Sequence, residues 1–103
     1  MRRAANVDGN QKPIVEALRA VGATVTHLHQ VGKGCPDLLV GFRRRAYLLE
    51  VKSEDGELDE SQVVWHRTWA GPAVSVVRSP EDALRAIGAV GGVNQNDSQT
   101  NGT

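Results

Sequence analysis

An aspartate, a glutamate and a lysine stand where two neighbouring strands can bring them together. Asp37 follows Gly34-Cys35-Pro36 and opens the apolar run Leu38-Leu39-Val40, while Glu50 and Lys52 close Leu48-Leu49-Glu50-Val51-Lys52. Arg43-Arg44-Arg45 lies midway between them. A two-residue hairpin turn on Arg43-Arg44 pairs Phe42 with Arg45 and carries the register back to Asp37 opposite Glu50. Side chains alternate along a strand, so Glu50 and Lys52 share a face. Two carboxylates and an ammonium at one end of an apolar hairpin make a poor core, because charge is costly to bury unpaired. They make a good divalent-cation site, suited to neutralising an anionic substrate and activating water. Glu-x-Lys alone is common by chance. The weight lies in Gly-x-Pro-Asp, the two apolar runs and the register taken together, against the plainer reading of a strand-end salt bridge.

The elements that must hold these residues are readable from periodicity and punctuation. Asp8 or Asn10 can cap a helix with Pro13 in its first turn, and Ile14, Val15, Leu18 and Val21 recur at helical spacing until Gly22. Gln11 falls on the inward side of that helix, and Glu16 on the solvated side with Lys12 and Arg19. Ala23 to Gln30 reads as a strand, followed by a loop containing Gly32 and Gly34. Strands over about 37–42 and 46–52 come next, apolar on both faces and so expected to be covered on both sides. Asp59 can cap a helix over 60–69 that carries Gln62, Trp65, His66 and Trp69, and Gly71-Pro72 breaks it. A fourth strand over 73–78 and a helix opened by Ser79-Pro80-Glu81-Asp82 complete the chain, with Gly88 at a left-handed stop. The order is αβββαβα, and the expected fold is α/β with a mixed four-stranded sheet flanked by helices.

With 103 residues the chain is sized for one small domain. We expect residues 1–88 to form it and the Gly-, Asn-, Ser- and Thr-rich stretch 89–103 to be a disordered polar tail. A single cysteine rules out an intramolecular disulfide, and no apolar stretch is long enough to span a bilayer, so a cytoplasmic protein is expected. Formal charge is zero, with 12 basic and 12 acidic residues. The distribution is uneven: Arg2, Arg3, Lys33 and Arg43 to Arg45 gather in the first half, and Glu54, Asp55, Glu57, Asp59 and Glu60 crowd one loop and helix start. A bound divalent ion would add positive charge that the bare chain does not count.

Asp37 with Glu50-x-Lys52 resembles the PD-(D/E)xK phosphodiesterase superfamily. The block from Gly34 to Lys52, with the helix over 60–69 behind it, is similar to the small VRR-NUC (virus-type replication-repair nuclease) branch. The resemblance spans about residues 4–88 and implies a restriction-endonuclease-like core. It further implies that Asp37, Glu50 and the backbone carbonyl of Val51 bind Mg²⁺ or Mn²⁺, that Lys52 positions or activates the attacking water, and that Gln62 supports the site. The implied activity is metal-dependent DNA hydrolysis by a homodimer in a bacterial or phage-infected cell, on branched DNA such as Holliday junctions. Where many relatives place a glutamate on the first helix this chain has Gln11, with Asp8 one turn earlier as a substitute, so the number of metals is open. Readings outside that activity are a plain nicking or flap nuclease and a DNA-binding module that has lost turnover.

Other candidates have bland alternatives. Lys33 and Arg43, Arg44 and Arg45 either grip phosphates or form solvated turns. His66 either faces the substrate or is an ordinary half-buried helix residue. His27, His29, Cys35 and Asp37 could in principle hold zinc, but their spacing matches no common zinc pattern. Trp65 and Trp69, four apart, read as core or dimer contact before base stacking.

Overall fold

The structure, a computed structural model, describes residues 9–89. Its elements run α1 (Gln11–Ala20), β1 (Thr24–His27), β2 (Leu38–Phe42), β3 (Arg45–Val51), α2 (Glu60–Thr68), β4 (Ser75–Val77) and α3 (Pro80–Ala86). The strands form one sheet in the order β1-β2-β3-β4. β1, β2 and β3 are antiparallel neighbours, and β4 joins β3 in parallel, so the sheet is mixed as expected. The parallel pair needs a crossover, and α2 supplies it.

The β2–β3 register is the one the sequence required. Phe42 faces Arg45, Gly41 faces Ala46 and Leu38 faces Leu49, so the next pair outward is Asp37 and Glu50. Alternation then sorts the side chains. Leu38, Val40, Leu49 and Val51 point to one face, where they pack with Ile14, Val15 and Leu18 of α1, Ala83 of α3 and Ile87 at the α3 C-cap. Glu50 points to the other face, toward α2.

Both helices on the core face end in the same way. Gly22 (φ 92°) and Gly88 (φ 76°) take left-handed stop positions. Ala23 N–H donates to Leu18 O at 3.1 Å and Ala89 N–H to Leu84 O at 2.8 Å, the long closing bond of a Schellman motif in each case. At the start of α3, Ser79 accepts from the Asp82 N–H, and Pro80 occupies the first turn.

Three expectations change. Asn10 sits at the N-cap of α1, yet its side chain makes no cap bond. Its amide instead donates to Lys52 O at 2.7 Å and Arg78 O at 2.6 Å, because at the helix start two strand ends leave carbonyls without ladder partners. Asp8, the other cap candidate, lies outside the described residues, as do Arg2, Arg3 and residues 90–103 of the stretch expected to be a tail, whereas its first residue, Ala89, packs against the core. The middle strands are not covered equally on both faces. Over the α2 face runs an apolar groove of about 310 Å³ lined by Leu28, Leu39, Leu48, Trp65, Trp69 and Pro72 among others, and Leu39 stays 38 % exposed. The reason is that α2 buries no residue fully. The strands are also shorter than their apolar patterns, β1 ending at His27 and β4 spanning Ser75–Val77. Among the described residues no helix is long and apolar enough to cross a membrane.

Candidate active site

The end of the β2–β3 hairpin opposite the arginine turn gathers Asp37, Glu50 and Lys52. Asp37 directly precedes β2, and its carbonyl accepts from Leu28 N–H at 2.8 Å, which ties it to the chain leaving β1. Its Oδ2 accepts the Val51 N–H at 2.8 Å, so the aspartate is bound to the backbone segment whose carbonyl the resemblance assigns to the metal. Glu50 is the only fully buried acid among the described residues, at 1 % exposure. Lys52 shares its strand face and acts on it electrostatically.

Burial pushes the Glu50 carboxyl up to about 9, helped by a side-chain hydrogen bond and charge repulsion from Asp37 and offset only in part by Lys52. A buried carboxyl that must hold a proton at neutral pH, touching a second carboxylate, is short of positive charge. That is the electrostatic condition a divalent cation relieves, and the all-oxygen donor set suits hard Mg²⁺ or Mn²⁺. The residues present therefore fit the ion.

α2 holds both oxygens of Glu50. Gln62 Nε2 donates to Oε2 at 3.1 Å, and His66 Nε2 lies 3.2 Å from Oε1. The two are four apart and share one helix face. A capping box decides which end of the Gln62 amide meets the glutamate: Asp59 Oδ1 accepts the Gln62 N–H at 2.9 Å, and Gln62 Oε1 accepts the Asp59 N–H at 2.9 Å. With its oxygen committed to the cap, Gln62 can present only its NH₂ group to Glu50. The hydrogen bonds from Gln62 and Ser61 hold the Asp59 carboxyl below its ordinary value. Burial and the Lys52 charge lower the His66 imidazole, and burial with Glu50 and Asp37 nearby raises the Cys35 thiol.

α2 can come this close because Gly34 (φ 85°) has no side chain. A Cβ there would collide with the Ser61 carbonyl, so the loop before Asp37 lies directly against the start of α2. Sequence reasoning missed two further supports. Asn10 pins the Lys52 backbone, as described above. Arg78 Nη1 donates to Ser53 O at 2.7 Å and Gly56 O at 2.6 Å, fixing the acidic loop that follows Lys52. No local pattern announces either contact, since both span more than twenty residues; the one available signal is a long basic side chain at the end of an apolar strand.

The other candidates are placed as follows. Gln11 is buried as expected, at 4 % exposure, but its oxygen lies 3.1 Å from His27 Nδ1. No hydrogen bond joins it to Asp37 or Glu50 among the described residues. His27 and His29 meet edge to face at 5.8 Å. Among the described residues no group of three or more His, Cys, Asp or Glu side chains gathers for a metal, so His27, His29, Cys35 and Asp37 do not supply a zinc set. Lys33 is exposed on the loop beside α2, with a left-handed φ of 59°. Trp65 and Trp69 stack at 5.0 Å, and Trp69 Nε1 donates to Pro72 O at 2.9 Å. Arg43, Arg44 and Arg45 are exposed at the far end of the hairpin.

A solved structure described as a VRR_NUC domain has a TM-score of 0.62 to this chain at 33 % sequence identity, over 75 % of this chain and 88 % of that one. This chain belongs to the VRR-NUC family. Its mixed sheet with flanking helices is therefore a restriction-endonuclease-like fold, and the chain is a nuclease-type domain. No family sequence model matches it, and no curated protein matches it. In this VRR-NUC domain the Asp, Glu-x-Lys and Gln of the motif stand together at one end of the sheet.

Proposed function

We propose that this VRR-NUC domain is a Mg²⁺- or Mn²⁺-dependent DNA endonuclease, selective for branched DNA such as four-way junctions and working as a homodimer. The observation that carries the reading is the buried Glu50 carboxyl, held at both oxygens from α2 and facing the charge of Asp37. Asp37, Glu50 and the Val51 carbonyl are the groups that would hold the cation. The cation supplies positive charge against a scissile phosphate and makes water easier to deprotonate. Lys52, on the same strand face as Glu50, presents its ammonium to the phosphate. Gln62 and His66 fix the Glu50 carboxylate, and Asp59 fixes Gln62.

The homodimer is supported by unfilled apolar surface: the groove between α2 and the sheet, with Val63, Val64 and Trp69 each more than 40 % exposed. Two copies related by a two-fold axis would present two cutting sites to a symmetric branched substrate. Branch selectivity itself rests on family analogy. A second reading, a DNA-binding module with weak turnover, is favoured by Gln11, which turns to His27 and brings no charge to the carboxylate pair.

The test uses the purified chain with a labelled four-way junction and its matched linear duplex, each in Mg²⁺, Mn²⁺ or EDTA. Paired nicks confined to the junction support the full reading. Equal cutting of the duplex leaves a plain nuclease, and binding with no cutting in either ion leaves the binding module. Sedimentation of the same sample reports whether the active species is a dimer.

A further inference from the structure

The β2–β3 hairpin closes through Arg43 (φ 53°) and Arg44 (φ 67°), both left-handed, with Phe42 and Arg45 paired across the turn. A two-residue type I′ turn demands that conformation, and Asn-Gly supplies it with little strain; two residues with long side chains adopt it against their preference. The turn is thus poorly served by the residues it has. Electrostatics points the same way. Arg43, Arg44 and Arg45 are all exposed, and no hydrogen bond or ion pair engages their guanidinium groups among the described residues. The Arg43 guanidinium lies 4.9 Å from the centre of the Phe42 ring, which limits its freedom and leaves its outer face open. Three neighbouring cations on a strained turn, with no acid to meet them, call for an external polyanion.

We infer that the Arg43-Arg44 tip is a phosphate-binding site that grips the DNA backbone away from the cut. Asp37 and Arg43 are six residues apart along the hairpin, which at the usual rise places the tip about 20 Å from the carboxylate pair. Its target is therefore a phosphate in the duplex flanking the scissile one. The inference rests on the nuclease reading for the identity of the polyanion, and it adds the second point of contact that orients the substrate. Guanidinium groups suit this task because their paired N–H donors match phosphate oxygens.

The test is the double variant Arg43→Asn, Arg44→Gly, which installs the turn sequence the backbone prefers. Affinity for a labelled duplex and a labelled four-way junction is measured in EDTA, across a salt series, beside thermal unfolding. The expected result is a melting temperature at or above wild type, affinity reduced by about tenfold to a hundredfold, and a log–log salt slope shallower by about 2 for two lost phosphate contacts. Arg43→Asn alone shifts the slope by about 1. An unchanged affinity and salt slope for the double variant, while wild type binds and cuts DNA, overturns the inference and leaves the nuclease reading intact. Failure of wild type to bind either DNA overturns both.

Discussion

The buried Glu50 carboxyl makes a stability signature that differs in sign from that of an ordinary surface acid. Its ordinary value is 4.5 and burial beside Asp37 pushes it up to about 9, so the folded, metal-free chain retains a proton that the unfolded chain gives up. For a raised acid the stability contribution is complete below about 4.5 and is lost as pH rises toward 9, with a limiting slope of about 1.4 kcal/mol per pH unit. Between pH 5.5 and 7.5 the full effect is ~3 kcal/mol, and solvent at the strand end reduces it to about 2 kcal/mol. For a domain of this size that corresponds to a fall of roughly 10 °C in melting temperature. The perturbation is Glu50→Gln, which keeps the shape and removes the titration. Thermal unfolding in EDTA at pH 5.5 and 7.5 should show wild type declining relative to the variant, whose remaining pH dependence comes from the lowered His66 imidazole and is shared by both, with the variant the more stable of the two at pH 7.5. Added Mg²⁺ should restore wild type at pH 7.5 and leave the variant unchanged, because ion binding to the folded state alone stabilises it. Parallel pH profiles for the two proteins would refute the reasoning, since they would mean that Glu50 ionises without cost.

Substitutions at three further positions probe the framework. His66→Ala removes the partner of Glu50 Oε1 and should weaken Mn²⁺ binding, measured by calorimetry, about tenfold, while His66→Gln restores most of it. Asp59→Ala breaks the capping box and should cost ~1 kcal/mol in urea unfolding; it also frees the Gln62 amide to rotate, so cleavage should fall further than the stability loss explains. Gly34→Ala forces a Cβ against the Ser61 carbonyl at a left-handed φ and should destabilise the domain by roughly 2 kcal/mol, visible as a lower denaturation midpoint.

Much of this arrangement was legible in the residues because it depends on local rules. A two-residue turn fixed the register, and alternation then placed Asp37 opposite Glu50 and Lys52 on the same face as Glu50. The caps at Asp59 and Ser79 and the stop at Gly88 are likewise short-range signals. What stayed hidden was set by tertiary contact. Asn10 looks like a cap in sequence and serves as a strand-end clasp, because its amide meets carbonyls 42 and 68 residues away. Apolar patterning on both faces of β2 and β3 pointed to cover on both sides, but the extent of that cover depends on how α2 lies, and α2 leaves a groove. Gln11 was correctly placed inward, yet only the fold shows that it faces His27 rather than the carboxylates. His66 carries no motif of its own; its contact with Glu50 follows from the helix phase that Gln62 sets.

We propose that Asp37 and Glu50 form one cation-dependent centre for phosphodiester hydrolysis. The most direct measurement is cleavage of end-labelled DNA by wild type and by Asp37→Asn, in Mg²⁺ and in EDTA, at matched DNA occupancy. Wild type should cut in Mg²⁺ only, and the variant should not cut although it still binds DNA. Cutting that persists in EDTA, or undiminished cutting by Asp37→Asn, would contradict the proposal.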